Sequence, residues 1–224
     1  MISFPSSKRI LIYLLGVNIV LIFFHLVLHY LDLTQDFSPF MSDVVRRFSM
    51  DAEASIPTWF TQILLFVAAQ CFAYIAYQLF RKKKEDRWYW ILLSVLALYM
   101  SIDEGAELHE LLIAPTQSAL GISEGIFFFA WIIPVLIAVA LLTLLFARFF
   151  FRLDKRTRIL LSLSALLFLL GAIGVEMISG SYWESQDFAY DFMYRIFNAV
   201  EEGLENTGII LLLFVLFDRI GVAR

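Results

Sequence analysis

Long uninterrupted apolar runs constrain this chain more than any other feature. Six of them lie near residues 10–30, 57–80, 88–113, 125–148, 157–180 and 193–217. Each is long enough to cross a hydrocarbon core, which takes about 20 residues as helix. Helix is the form required, because a lone segment in lipid must satisfy its own backbone hydrogen bonds. Hydrophobic residues make up 61% of the 224, against about 45–50% in a soluble domain. The expected fold is an all-α integral membrane protein, a single membrane domain over residues 1–224. The first run follows Lys8 and Arg9, as a signal peptide would. It is too long for one and lacks a small-residue cleavage site, so it is expected to be a retained span.

Charge sets the expected orientation. Lys8, Arg9, Arg81, Lys82, Lys83, Lys84, Arg87, Arg148, Arg152, Lys155, Arg156, Arg158, Arg219 and Arg224 fall on one side of a six-span alternation. They are all but three of the 17 basic residues, the exceptions being Arg46, Arg47 and Arg195. The positive-inside bias therefore predicts six transmembrane helices with both termini cytoplasmic, in the inner membrane. Trp59, Trp88 and Trp90 at span ends suit an interfacial belt. A net charge of −4 gives no case for nucleic acid. The lone Cys71 lies in an apolar run, where a thiol packs as a small hydrophobe.

The acids follow the opposite pattern. Of 21, only Glu85, Asp86, Asp154 and Asp218 accompany the basic side. Segments 31–56 and 181–192 are acidic and aromatic, either interfacial helices or solvated loops. Asp51 and Glu53 precede Pro57, where a helix start is expected, and capping is their predicted role. Glu124 is placed similarly before the fourth run.

Ionisable groups inside a span are costly, roughly 2.5–3.5 kcal/mol each on insertion scales. This chain places many there. His25 and His29 lie in the first run, and Asp103, Glu104, Glu107, His109 and Glu110 in the third. Glu176 lies in the fifth, and Glu201, Glu202 and Glu205 in the sixth. Span direction puts all of them in one layer, in the outer half of the bilayer. Arg195 is the nearest cation. On a continuous helix, Asp103, Glu107 and Glu110 share a face within about 60°, Glu201 and Glu205 form a stripe with Asn198, and His25 and His29 point one way. His109 falls off the acidic face.

Three devices could stabilise such a layer: protonation of the acids, a water-filled cavity, or bound metal. Histidines four apart with several carboxylates suit a divalent metal, whether zinc, iron or manganese. The candidate ligands are His25, His29, Asp103, Glu107, His109, Glu110, Glu176, Glu201 and Glu205. Glu104 and Glu202 are then the spare carboxylates for general-base work. The expected function is a metal-dependent membrane enzyme acting on an amphiphilic, lipid-like small molecule that reaches the site through the bilayer. A cation or proton-coupled transporter is the alternative, and a non-catalytic subunit or assembly factor a third.

The strings DEGAE (103–107) and EEGLE (201–205) match as acid-Glu-Gly-x-Glu in the third and sixth runs. A 3 + 3 inverted repeat would place them at a repeat interface. With FSMDAEASIPTWF (48–60) and SIDEGAELHE (101–110), they resemble a group of bacterial multi-span membrane proteins. That resemblance implies a shared polar signature of Asp51, Glu53, Asp103, Glu104, His109, Glu110, Glu201, Glu202 and Glu205. It brings no activity with it.

Overall fold

A computed structural model describes residues 6–122 and 124–222, and among these there is no strand. The helices are α1 (Ser7–Thr34), α2 (Pro39–Arg47), α3 (Ile56–Arg81), α4 (Arg87–Ala106), α5 (Ile113–Leu120), α6 (Ile132–Arg152), α7 (Lys155–Leu169), α8 (Glu176–Ser185) and α9 (Phe192–Val222). A π-helical segment, Leu170–Val175, joins α7 to α8 without a break.

Among the described residues, four helical stretches are long and apolar enough to cross a membrane: α1, α3, α6 and the continuous Lys155–Ser185. Only 11% of the most apolar window of α6 and 17% of that of α1 is buried. A continuous apolar exterior of this kind would aggregate in water, and a lipid surrounding satisfies it. The third and sixth expected spans are helical too, as α4 and α9. They fall outside the four because acids interrupt their apolar windows.

Helix α9 is the central element, packed against α1, α3 and α7, while α4 lies along α3. The dry core joins Leu64, Leu65, Ala68 and Phe72 of α3 to Trp90 of α4 and Ile209, Ile210 and Leu213 of α9. Fully buried Ala68 marks small-residue packing, which sets how closely membrane helices approach. At Gly208, a Cβ would lie 2.8 Å from both the Ser164 carbonyl oxygen and the Phe168 nitrogen. The Ser164 hydroxyl donates to the Gly208 carbonyl at 2.7 Å across that contact.

Several expected boundaries change. The third run, expected to continue to 113, stops at Ala106, and Glu107 takes a left-handed conformation (φ 46°). A turn, a 3₁₀ segment at Glu110–Leu112 and α5 follow. The fourth expected helix starts at Ile132 rather than 125. Segment 31–56 does contain a helix, α2. The predicted cap at Asp51 or Glu53 is replaced by Ser55, whose hydroxyl accepts the Thr58 N–H at 3.2 Å. DEGAE ends in the left-handed turn while EEGLE lies in unbroken helix, so the two strings do not share one local structure.

Candidate carboxylate centre

Two of the three histidines are structural joints. His25 is fully buried. Its Nδ1 accepts the Met50 N–H at 3.0 Å, and its Nε2 lies 3.0 Å from the Arg195 carbonyl oxygen. Accepting at one nitrogen and donating at the other fixes a neutral Nε2–H tautomer. Both ring nitrogens are thereby consumed, and His25 leaves the expected ligand set. His29 stacks edge-on against His25 at 4.6 Å, and its Nε2 is 3.1 Å from the Ser49 hydroxyl. Together they pin residues 49–50 to α1. That strap carries Asp51 across the N-terminal end of α9, where Arg195 Nη1 meets Asp51 Oδ2 at 3.4 Å.

The acids gather beneath this strap. The carboxyls of Glu176 and Glu201 lie within electrostatic reach of each other, with Glu202 and Glu205 close by. Glu202 lies within electrostatic reach of Glu104, Glu205, Asp51 and Glu176. Glu205 adds the same relation to Glu104 and Glu176. These glutamates are half-buried. One Glu202 oxygen, Oε2, is buried with no hydrogen-bond partner among the described residues.

Local structure explains the convergence. The π-helical segment shifts the register of the chain just before Glu176, a distortion that recurs at functional sites. It also brings Gly171 against α9. A Cβ there would stand 2.6 Å from the Glu201 carbonyl oxygen and 2.7 Å from Glu205 Cγ. The left-handed turn at Glu107 folds His109 back onto α4. Asp103 accepts the His109 backbone N–H at 2.9 Å and its Nδ1–H at 2.8 Å. The ring rests on Trp131 at 4.6 Å, and Trp131 Nε1–H donates to Glu176 at 3.3 Å. Thus His109, expected to fall off the acidic face, joins it through a turn that a helical wheel cannot represent.

The same turn takes Glu107 off the helical face it was expected to share with Asp103, while Glu110 stays within electrostatic reach of His109 and Asp51. Glu107 lies within electrostatic reach of Glu110 and Glu53, a second acidic group. The expected single face of Asp103, Glu107 and Glu110 is therefore split. Trp131 and the π-helical segment carried no site signal in the sequence.

Among the described residues, no lysine or arginine forms an ion pair with Glu104, Glu176, Glu201, Glu202 or Glu205. At the edge, Asp51 lies outside the spans. Burial raises its carboxyl to about 6, opposed by the Arg195 guanidinium. A third of its side-chain surface still reaches solvent, so it marks the mouth of the centre rather than its interior. Neighbouring carboxylates repel one another unless another charge offsets them. As the side chains stand, no group of three or more His, Cys, Asp or Glu among the described residues has metal-ligating geometry.

These features define an all-helical protein built for a lipid surrounding, with a carboxylate centre between its helices. Residues 12–220 match the family described as a domain of unknown function, DUF8692, and the chain belongs to it. No curated protein and no solved structure matches it.

Proposed function

We propose that this is a six-span inner-membrane protein, both termini cytoplasmic, whose outward-facing carboxylate centre binds a divalent cation and acts as a metal-dependent enzyme on a lipid-like substrate. One observation carries the reading. Glu176 and Glu201 come near each other from two helices, with Glu104, Glu202 and Glu205 within electrostatic reach and, among the described residues, no lysine or arginine paired with them. A set of hard oxygen donors with one imidazole favours manganese or iron over thiolate-seeking metals. Glu176, Glu201 and Glu205 are the central ligands, brought into geometry by rotation of their flexible side chains. His109 offers Nε2, since Asp103 occupies Nδ1, and a histidine steadied by a carboxylate in this way is a common ligand arrangement. The ion would supply Lewis acidity. Glu202, with its unpartnered oxygen, is then the proton acceptor, and Glu104 neighbours it.

The test is elemental analysis of the purified chain after supplementation with manganese, iron or zinc. Near-stoichiometric ion that is lost in a Glu176→Gln/Glu201→Gln double variant supports the reading. No retained ion under any supplementation removes it.

The paired carboxyls also favour a second reading, in which Glu176 and Glu201 share a proton and the layer serves proton-coupled cation transport. Cation flux in proteoliposomes that disappears in Glu201→Gln supports transport. Ion retention without flux supports the enzyme.

A further inference from the structure

The molecule has a second built feature, at the end of the bundle remote from the carboxylates. Lys155 opens α7 about 30 Å along the helical run from Glu176, at 1.5 Å per residue. Here a groove of about 500 Å³ opens between α7 and α9, lined by Lys155, Arg156, Ile159, Leu160 and Phe214. Its walls are aliphatic and aromatic, and its two charged residues lie together in the first turn of α7. Ile159 lies one helical turn, about 6 Å, beyond Lys155. The groove is shallow and open, basic at the start of α7 and apolar along the rest.

We infer that this groove seats one anionic phospholipid, its phosphate at Lys155 and Arg156 and an acyl chain along Ile159, Leu160 and Phe214. The surrounding bilayer makes a lipid chain the available filler, since water does not occupy an apolar cleft facing hydrocarbon. Charge selects among lipids. Arg156 is partly committed to Asp218, at 2.9 Å. Lys155 makes no ion pair among the described residues. The Lys155 ammonium at the rim, unpaired among the described residues, complements a phosphodiester and gives no such preference for a zwitterion. The helix terminus itself is not the attraction, because Asp154 already caps it by accepting the Thr157 N–H at 2.9 Å. This end is the one predicted to be cytoplasmic, where anionic headgroups attract basic residues by about 1 kcal/mol each.

The full-length protein is reconstituted into nanodiscs of equal phosphatidylglycerol and phosphatidylcholine, and tightly retained lipid is identified by native mass spectrometry. The wild type is expected to retain phosphatidylglycerol preferentially. Lys155→Gln, at an exposed position, should cut that preference about fivefold, the equivalent of about 1 kcal/mol. Ile159→Trp, which fills the groove, should lower retention with the charges intact. Equal retention of both lipids by the wild type, or an unchanged preference in Lys155→Gln, overturns the inference. So does a response to Lys155→Gln without one to Ile159→Trp, which would mean a diffuse charge effect. Displacement by millimolar inorganic phosphate overturns it too, by showing a free-phosphate site.

Discussion

Asp103 grips His109 with both carboxylate oxygens, taking the backbone N–H on one and the imidazole Nδ1–H on the other. This double clamp fixes the ring orientation and points the remaining nitrogen away from its own partner. Removing it separates positioning from folding. Asp103→Asn keeps the shape but cannot accept both bonds equally well. Its stability loss should be about 1 kcal/mol, since the pair is partly solvated. Its affinity for added manganese should fall roughly 10–100-fold, the usual cost of losing a partner behind a ligand. Isothermal titration of the reconstituted variant measures this. Unchanged affinity would place His109 outside the cation site.

His25 gives the opposite expectation. Its two bonds hold the strap and α9 together, and both partners are backbone groups. His25→Ala leaves a buried N–H and a carbonyl unpaired and opens a cavity, with a cost of roughly 2–4 kcal/mol. The midpoint of thermal unfolding in detergent should drop accordingly. The folded fraction should still bind cation like the wild type, because no nitrogen of His25 is free to ligate.

The contrast shows which parts of the centre the sequence could reveal. Apolar runs located α1, α3 and α9 within a few residues, since helix length and lipid solvation are local properties. The proximity of Glu104, Glu176, Glu201, Glu202 and Glu205 was legible because they fall at matching positions along their apolar runs. The role of His25 was not. Its partners are the main chain of Met50 and Arg195, and main-chain groups leave no mark on residue identity. Glu107 was misplaced for a different reason. Nothing in EGAELHE breaks a helix by composition, so a continuous wheel put Glu107 and Glu110 beside Asp103. The observed left-handed turn instead takes Glu107 toward Glu53 and returns His109 to the centre. Arg195 was recognised as the nearest cation, but its pairing with Asp51 needed the strap to be in place.

Gly171 tests whether close approach of the π-helical segment shapes the centre. Gly171→Ala sets a methyl group 2.6 Å from the Glu201 carbonyl oxygen, which belongs to backbone and cannot swing aside. Overpacking of this kind costs typically 1–3 kcal/mol. Cation binding should weaken as well, because α9 must move with Glu201 and Glu205. Gly174→Ala, in the same segment, meets nothing nearer than 3.8 Å. It should bind and unfold like the wild type. Equal effects at the two positions would mean that helix propensity, rather than contact, is responsible.

Asp51 makes the strap pH-sensitive, with a sign that can be worked out. Burial raises its carboxyl to about 6 from an ordinary value of 3.8. Between these limits the folded protein holds a proton that the unfolded chain has released. Stability from this group therefore falls as pH rises from about 4 to 6, and its cost is fully present above 6. Arg195 offsets part of that cost, and solvent at the exposed third of the side chain screens it further. Asp51→Asn carries no charge at any pH, so it should remove this contribution. The unfolding midpoint of the variant, minus that of the wild type, should rise as pH increases from 4 to 6 and then level off. Measuring the difference cancels the titration of groups common to both proteins. A difference that stays flat across this range would show that the Asp51 carboxyl ionises in the folded state as it does in water.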